Sequence, residues 1–176
     1  MNERLFQLFY SLAHKNDFLD WVWVFSAEYL PIILTAFFGY LLIREKDPHR
    51  RYYFLALSVL SAVISVGIVG QVMRYFIDSP RPFMSPDVTA LIDRSHTPSM
   101  PSGHMMTFFP IALAGYYLSQ KWRWYFIVGI LWMGIARIVS GVHYPADILV
   151  GLILSTGCFY LVKYILSRGG VKEGKS

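Results

Sequence analysis

Three short segments in the second half of the chain contain the residue types that bind and transfer phosphate groups. Guanidinium groups bind phosphate oxygens, an imidazole can attack phosphorus or donate a proton, and a carboxylate can orient an imidazole. Segments embedded in lipid contain so many polar residues mainly where those residues have a function. In chain order the segments are Arg74-x6-Arg81-Pro82, Pro101-Ser102-Gly103-His104 and Arg137-x5-His143-x3-Asp147.

The first segment predicts a pair of phosphate-binding arginines. Arg74 and Arg81 are seven residues apart, so they share one face if a helix persists between them. Pro80 and Pro82 flank Arg81 and predict that the helix ends near it. Paired N–H donors on one face suit a phosphate. The alternative is that both arginines anchor the protein to lipid headgroups without specificity.

The second segment predicts the start of a helix that faces an anion. Ser102 has the residue type of a helix N-cap, and Gly103 allows a close approach of the backbone to a ligand. The first N–H groups of a helix attract negative charge. His104 then lies in the first turn, where it can donate a proton to a leaving oxygen. The alternative is a plain helix cap followed by a surface histidine.

The third segment predicts an oriented imidazole. Pro145 suits the first position of a helix, which places Asp147 in the first turn and within reach of His143. A carboxylate on one ring nitrogen selects the tautomer and makes the other nitrogen a better nucleophile. Arg137 adds a third guanidinium. The alternative is a corner between two helices with a capping aspartate and an interfacial histidine.

The residue types indicate neither a zinc site nor a nucleotide cofactor, and a magnesium site formed by aspartates alone stays an alternative. The sequence has one cysteine, Cys158, no His-Glu-x-x-His pattern and no glycine-rich nucleotide loop. The three arginines already supply the positive charge that a metal would.

Glu28 could pair with one of these arginines or line an entrance to the site, but a position near the membrane interface is the favoured interpretation.

Composition places the chain in the membrane class. Of its 176 residues, 55% are hydrophobic and 15% are charged, whereas a soluble domain carries about 25% charged residues. The net charge of +5 comes from basic residues between and after apolar runs. This distribution is typical of topology signals, so we expect a protein that is integral to a membrane and has no nucleic-acid partner.

The hydrophobic pattern predicts an all-α polytopic membrane bundle that forms a single domain over residues 1–176. We expect an interfacial helix over residues 1–15, about five transmembrane helices, and a mobile tail over 167–176. Pro110 predicts a kink in the third span. The predicted spans cover residues 19–43, 52–77, 102–119, 123–142 and 146–166.

The basic residues also predict an orientation. With five spans, ten of the 16 Lys and Arg residues fall on the side of the 44–51 connection, and three of the other six belong to the phosphate-binding segments. The excess marks the cytoplasmic side, which puts the N-terminus outside and the C-terminus inside. All three segments then meet at the extracytoplasmic face.

The ordered segments resemble the type 2 phosphatidic acid phosphatase superfamily. Its pattern is Lys-x6-Arg-Pro, Pro-Ser-Gly-His and Ser-Arg-x5-His-x3-Asp, and two positions differ here: Arg74 replaces the usual Lys and Ala136 the usual Ser. The resemblance implies a membrane lipid as substrate and metal-free hydrolysis of its phosphate ester or pyrophosphate through a phosphohistidine. By position, His143 attacks phosphorus, Asp147 orients it, and His104 protonates the leaving oxygen. The implied phosphate-binding residues are Arg74, Arg81, Ser102, Gly103 and Arg137.

Within this family, the short chain and its outward site are most similar to bacterial undecaprenyl-diphosphate phosphatases, which act in the cytoplasmic membrane. The stretches Phe18-Leu19-Asp20 and Ala27-Glu28-Tyr29-Leu30 add a weaker similarity. Phosphatidylglycerophosphate phosphatases and lipid A 1-phosphatases share the same core and are alternatives. A lipid phosphotransferase and a non-catalytic lipid-binding protein are further alternatives. Nothing in the sequence sets the oligomeric state.

Overall fold

A computed structural model describes residues 2–93 and 97–170, and its regular structure within those ranges is entirely helical. The all-α prediction is therefore confirmed. A short 3-10 turn, Pro82–Met84, follows the fourth helix. The helices are α1 (Asn2–Tyr10), α2 (Asp17–Glu28), α3 (Leu30–Arg44), α4 (Pro48–Phe76), α5 (Gly103–Leu118), α6 (Arg123–Val139) and α7 (Pro145–Arg168).

The first predicted span consists of two helices. α2 and α3 meet at Tyr29 with a bend of 45°. Pro31 lies in the first turn of α3, where its missing N–H removes no helical hydrogen bond. Asn16 caps the other end of α2, because its Oδ1 accepts from the backbone N–H of Leu19 at 2.9 Å. The bend becomes important at the site, because α2 ends beside it.

The number of spans stays a prediction. Among the described residues, α4 and α7 are long and apolar enough to cross a membrane, and α2 with α3 makes a third if the bent pair is one span. α5 and α6 have 16 and 17 residues, fewer than the about 20 that a bilayer core requires. α5 continues through Pro110.

α4 contains a π-helical segment, Val63–Val69, just before its last turns. The backbone N–H of Gly70 donates to the carbonyl of Ser65, five residues earlier. A Cβ atom at Gly70 would lie 3.1 Å from the sulfur of Met106, so glycine lets α4 approach α5 closely here. Such a widened turn changes the direction in which later side chains point, and Arg74 comes four residues after it.

α5 is the central helix and packs against α3, α4, α6 and α7. Met105, Phe109, Phe126 and Phe159 lie in the core around it. Many large apolar side chains instead cover the outside of the bundle, as expected for a surface that contacts lipid. Exposed examples on α4 and α7 are Leu60, Val63, Ile68, Leu149, Ile153 and Leu161.

The N-terminal helix contacts the loop that carries the third segment. Phe6 is buried, with its ring centroid 5.2 Å from that of Tyr144. The Asn2 side chain accepts a hydrogen bond from the backbone N–H of Ala146 at 3.1 Å. α1 is thus part of the packed bundle, and its position at a lipid interface stays a prediction.

At the C-terminal end of the chain, α7 continues to Arg168. Residues 171–176 of the predicted mobile tail lie outside the described residues.

Candidate active site

The three segments surround one cavity of about 950 Å³ at one end of the bundle. α4 provides Arg74, the start of α5 provides His104, and the α6–α7 connection provides His143. The apolar part of the wall includes Val66 and Phe108. The residues predicted for the site that line the cavity are Arg74, Arg81, Gly103, His104, Arg137 and His143.

A tight turn after α6 positions His143. Gly141 has a φ of +75°, a left-handed conformation that glycine adopts without strain. A Cβ atom there would lie 3.3 Å from the Cα of Ala90. Ser140 secures the same turn from its other side, because its carbonyl accepts from the backbone N–H of Leu91 at 3.1 Å. His143 is buried just after this turn and one residue before the Tyr144 cap of α7.

Asp147 holds the inner nitrogen of the His143 ring. The Asp147 Oδ2 atom lies 3.3 Å from His143 Nδ1 and accepts from the backbone N–H of Tyr144 at 2.8 Å. Pro145 occupies the first turn of α7, as predicted. The carboxylate is fully buried behind the histidine and does not line the cavity. Its position therefore suits orientation of the ring rather than contact with a ligand.

Ser99 is a third member of this group that the sequence analysis missed. Its hydroxyl donates to Asp147 Oδ2, and its Oγ lies 3.3 Å from His143 Nδ1. The backbone N–H of Ser99 donates to the carbonyl of Ser79 at 2.8 Å, which fixes the loop. Ser99 lies in a connection with no periodic pattern. Ser99 lies two residues before Pro101, but this proximity to the second segment does not indicate which side chain its hydroxyl contacts.

The outer nitrogen of His143 faces an arginine. Arg81 Nη1 lies 3.5 Å from His143 Nε2 and donates to the carbonyl of Val142 at 3.0 Å. A guanidinium can only donate, so Nε2 has no proton while Nδ1–H points to Asp147. Burial lowers the pKa of His143 to about 4; the charges of Arg137 and Arg81 act in the same direction, and Asp147 opposes them. The imidazole is therefore neutral at pH 7, as a nucleophile requires.

Arg74 and Arg81 both line the cavity, but they do not share a helix face. α4 ends at Phe76, and Arg81 has an extended backbone with φ −79° and ψ 153°. Pro80 and Pro82 disfavour helical backbone around Arg81 and leave no N–H of their own to continue one. Arg81 is instead held by the loop, with its Nε donating to the carbonyl of Thr97 at 2.9 Å.

The start of α5 differs from the prediction in one respect. Ser102 is the N-cap residue, yet its side chain makes no capping hydrogen bond. Its backbone N–H donates to the carbonyl of Asp147 at 3.1 Å, which joins α5 to α7. The Ser102 hydroxyl is buried without a hydrogen-bond partner among the described residues, and Ser102 does not line the cavity. A direct contact with phosphate therefore has less structural support for Ser102 than for the arginines.

Gly103 and His104 meet the cavity directly. A Cβ atom at Gly103 would lie 3.0 Å from Arg74 Nη2, so a larger residue would displace the guanidinium. Arg74 Nη2 also donates to the carbonyl of Pro101 at 3.2 Å. His104 occupies the first turn of α5, with its ring centroid 5.7 Å from that of Phe108. The N-terminal N–H groups of α5 add positive potential at this wall.

Arg137 is paired with Glu28, the alternative that was less favoured for that glutamate from the sequence. Arg137 Nη1 donates to Glu28 Oε1 at 3.2 Å and lies 3.4 Å from the carbonyl oxygen of Ala27. Glu28 therefore contacts a residue of the site, and its position relative to the membrane interface stays a prediction. No local pattern favours this pairing, because the two residues are 109 positions apart. Among the residues that the structure describes, no group of three or more His, Cys, Asp or Glu could hold a metal ion.

Comparison with known families connects this geometry to an activity. The model of the PAP2 superfamily matches residues 55–170, which include all three segments. The chain belongs to the PAP2 superfamily. The family prediction is confirmed, and this PAP2 protein is a membrane lipid phosphatase, a hydrolase of phosphate esters and anhydrides.

Individual relatives agree with this assignment. The PAP2 chain is 31% identical to undecaprenyl-diphosphatase BcrC of Bacillus subtilis over 88% of its own length and 79% of the relative. It is 29% identical to an undecaprenyl-diphosphatase of Sulfolobus acidocaldarius over 98% and 82% of the two chains. The crystal structure of LpxE from Aquifex aeolicus superposes with a TM-score of 0.70 at 23% identity, covering 93% and 94% of the two chains, and so shares the fold.

The departure of this PAP2 chain at position 136 has a visible setting. Ala136 is fully buried in a small apolar cluster with Ala27, Ile92 and Val142. The side chain thus packs between the end of α2 and the loop before His143. The methyl group contributes to the packing that brings Ala27 close to Arg137.

Proposed function

We propose that this lipid phosphatase hydrolyses undecaprenyl diphosphate to undecaprenyl phosphate and inorganic phosphate through a phosphohistidine on His143. The observation that carries the proposal is the orientation of that ring. Nδ1 is held by Asp147, while Nε2 faces Arg81 in the cavity that His104 also lines. A buried neutral imidazole beside several guanidiniums can attack a phosphoryl group whose negative charge those guanidiniums neutralise.

In the first step, the lone pair of His143 Nε2 forms a bond to the terminal phosphorus. The bond from that phosphorus to the bridging oxygen breaks, and the oxygen leaves as part of undecaprenyl phosphate. His104 gives this oxygen a proton. Asp147 stabilises the positive charge that the substituted His143 ring acquires. Arg74, Arg81 and Arg137 bind the equatorial oxygens, where negative charge is concentrated in the transition state.

In the second step, water replaces the enzyme on phosphorus. His104, now neutral, accepts a proton from the water as its oxygen attacks. The bond between phosphorus and Nε2 breaks, which returns the electron pair to His143 and releases inorganic phosphate. Each group then has its starting protonation state. No metal or other cofactor takes part in either step.

Three observations support the substrate and the membrane side. Both relatives described above are named undecaprenyl-diphosphatases and match most of the chain. The cavity joins a cationic end to apolar wall residues such as Val66 and Phe108, which suits a phosphate attached to a hydrocarbon chain. The distribution of Lys and Arg favours a site on the extracytoplasmic face of a bacterial cytoplasmic membrane.

Phosphate release by the purified protein tests the proposal. In detergent with EDTA present, we expect release from undecaprenyl diphosphate that exceeds release from phosphatidylglycerophosphate, lipid A 1-phosphate and phosphatidic acid. Preference for another lipid in this panel would overturn the substrate. Loss of turnover in EDTA that returns with a divalent cation would overturn the metal-free mechanism. Labelled phosphate found in a second lipid rather than in water would indicate a phosphotransferase.

Trapping of the intermediate tests the role of His143. Substrate labelled at the terminal phosphate should leave acid-labile, base-stable label on the wild-type protein after a rapid quench. Replacement of His143 by Ala should remove this label. His49→Ala is the matched control, because His49 is an exposed histidine in the first turn of α4, outside the cavity. Equal labelling of the His143→Ala protein would overturn the mechanism.

A further inference from the structure

The bend between α2 and α3 brings two acceptors to Arg137. Glu28 is the last residue of α2, and Ala27 precedes it. The Glu28 carboxylate and the Ala27 carbonyl both face Arg137 Nη1, at 3.2 and 3.4 Å. The last carbonyls of a helix lack helical partners and carry negative potential, so they attract a guanidinium. α2 therefore presents a charged and a neutral acceptor to the same nitrogen.

Arg137 needs such support because of its position. Its side chain is 2% exposed, and it comes from the last turn of α6. A long side chain loses its rotamer freedom when it is held in one conformation, and a buried guanidinium needs acceptors for its donors. Arg137 also lines the cavity next to His143. Both acceptors on α2 contact Nη1, and neither Ala27 nor Glu28 lines the cavity that contains the proposed phosphate site.

We propose that Glu28 is a positioning residue that holds Arg137 in the orientation required to bind the transferred phosphoryl group. This inference rests on the proposed function, because it assigns phosphate binding to Arg137. Glu28 does not line the cavity, so it acts through the arginine and not on the substrate. Its side chain is 26% exposed, so the ion pair lies at the edge of the bundle and not in its centre.

The chain offers a control for the packing of α2. Ser26, two residues before Glu28, accepts a hydrogen bond from Trp132 Nε1 at 3.1 Å. The rings of Trp23 and Trp132 also stack, with centroids 5.2 Å apart. These contacts join α2 to α6 without involving Arg137. A Ser26→Ala variant therefore weakens the same helix interface but leaves the ion pair intact.

A double-mutant cycle on kcat/KM tests the inference. Glu28→Ala should lower kcat/KM about tenfold, as expected for loss of one charge-assisted hydrogen bond. In an Arg137→Ala background, Glu28→Ala should change kcat/KM by less than about twofold, because the residue that it positions is gone. Glu28→Gln retains an acceptor and should lose less than Glu28→Ala. Ser26→Ala should stay within about twofold of the wild type.

Specific outcomes would overturn the inference. One is an equal loss of kcat/KM from Glu28→Ala in the wild-type and the Arg137→Ala backgrounds. Another is a loss in Ser26→Ala as large as that in Glu28→Ala, which would assign the effect to helix packing. If Glu28→Ala does not fold, Glu28→Gln in both backgrounds decides the question by the same criterion.

A binding measurement separates this inference from the proposed substrate. Inorganic phosphate should raise the melting temperature of the detergent-solubilised wild type, and Glu28→Ala should need about tenfold more phosphate for the same rise. This readout does not depend on the identity of the lipid. If undecaprenyl diphosphate is not hydrolysed but phosphate binding weakens as expected, the substrate proposal fails and the role of Glu28 stands. Unchanged phosphate binding in Glu28→Ala and in Glu28→Gln would contradict the role.

Discussion

The two ends of the bundle each contain a buried arginine with the same kind of partners. At the site, Arg137 contacts Glu28 and the carbonyl of Ala27 near the end of α2. At the other end, Arg50 Nε donates to Glu45 Oε2 at 3.2 Å, and its Nη2 donates to the carbonyl of Leu118 at 3.3 Å. Leu118 is the last residue of α5. In both cases, a glutamate and a C-terminal helix carbonyl hold a guanidinium.

The surroundings of the two arginines differ. Arg50 lies over the ring of Phe54, with 5.4 Å between its Cζ atom and the ring centroid, and it does not line the active-site cavity. Arg137 lines that cavity together with Arg81, His104 and His143. A buried ion pair therefore does not define a function by itself. Arg50 joins α4 to the end of α5, whereas Arg137 adds its charge to the cavity that contains His143, the proposed nucleophile.

Removal of the proposed nucleophile should give the largest loss of kcat, and an equivalent substitution at the Arg50 end of the bundle should give none. His143→Ala should lower kcat by more than about 10³-fold, since the residues that remain can bind phosphate but cannot form the covalent intermediate. His49→Ala, at the Arg50 end, should retain wild-type turnover. The measurement is phosphate release per folded protein in detergent. Residual turnover within tenfold of the wild type in His143→Ala would contradict the assignment.

Removal of each arginine should give opposite results. Arg137→Ala should lower kcat/KM about 10²-fold, because a donor to the transition-state oxygens is lost. Arg50→Ala should destabilise the fold by about 1–3 kcal/mol, because Glu45 and the Leu118 carbonyl lose their partner. The activity of the folded Arg50→Ala protein should stay within about threefold of the wild type. Thermal unfolding and steady-state kinetics of both variants check this distinction. A large loss of kcat/KM in folded Arg50→Ala, or an unchanged kcat/KM in Arg137→Ala, would contradict it.

Loss of Ser99 should have a smaller effect. Ser99→Ala removes a donor to Asp147 and a contact of His143 Nδ1, so kcat should fall about tenfold while the ring keeps its aspartate. Ser58 is a matched control, since its buried hydroxyl donates within its own helix to the carbonyl of Leu55 at 2.9 Å. Ser58→Ala should leave kcat unchanged. Similar losses in both variants would indicate a general cost of removing buried hydroxyls.

The pH profile should show the smallest change. His143 attacks as the neutral ring, and its pKa is lowered to about 4, so activity should be lost only as the pH falls through that value. The charge of Arg137 contributes to the lowering of this pKa. In Arg137→Ala the acid limb of kcat/KM, which reports the ligand-free enzyme, should therefore move to higher pH, and in Arg50→Ala it should not move. All variants are compared on one substrate, so the ionisation of the substrate affects each profile equally. An acid limb at the same pH in Arg137→Ala as in the wild type would contradict the electrostatic contribution of Arg137.

Many features of the site follow from neighbouring residues in the chain. Pro145 starts α7 and so places Asp147 in its first turn, four residues after His143. Pro80 and Pro82 end the helical run before Arg81. Apolar runs and the low content of charged residues predicted a helical membrane protein. These features depend on backbone restrictions and on spacing within one or two turns, so a sequence without any structure contains them.

Other features depend on contacts between distant residues. Ser99 and Asp147 are separated by 48 positions, and no local pattern indicates that their side chains meet. The helix start at Ser102 was predicted from its residue type, but its side chain makes no cap because Ser102 is buried against α7. Gly151 makes this approach possible, since a Cβ atom there would lie 3.2 Å from the Ser102 carbonyl oxygen. Packing between α5 and α7 therefore overrides a local preference.

The residue types of the site, their order along the chain and the helices that carry them follow from local sequence, because turn residues and apolar spacing act over short distances. The tertiary structure decided which groups support that chemistry. It brought Glu28 to Arg137 across 109 positions, and it directed the end of α4 through a π-helical segment. Such pairings depend on how helices bend and pack, and the free energy of packing belongs to the whole bundle rather than to any one segment.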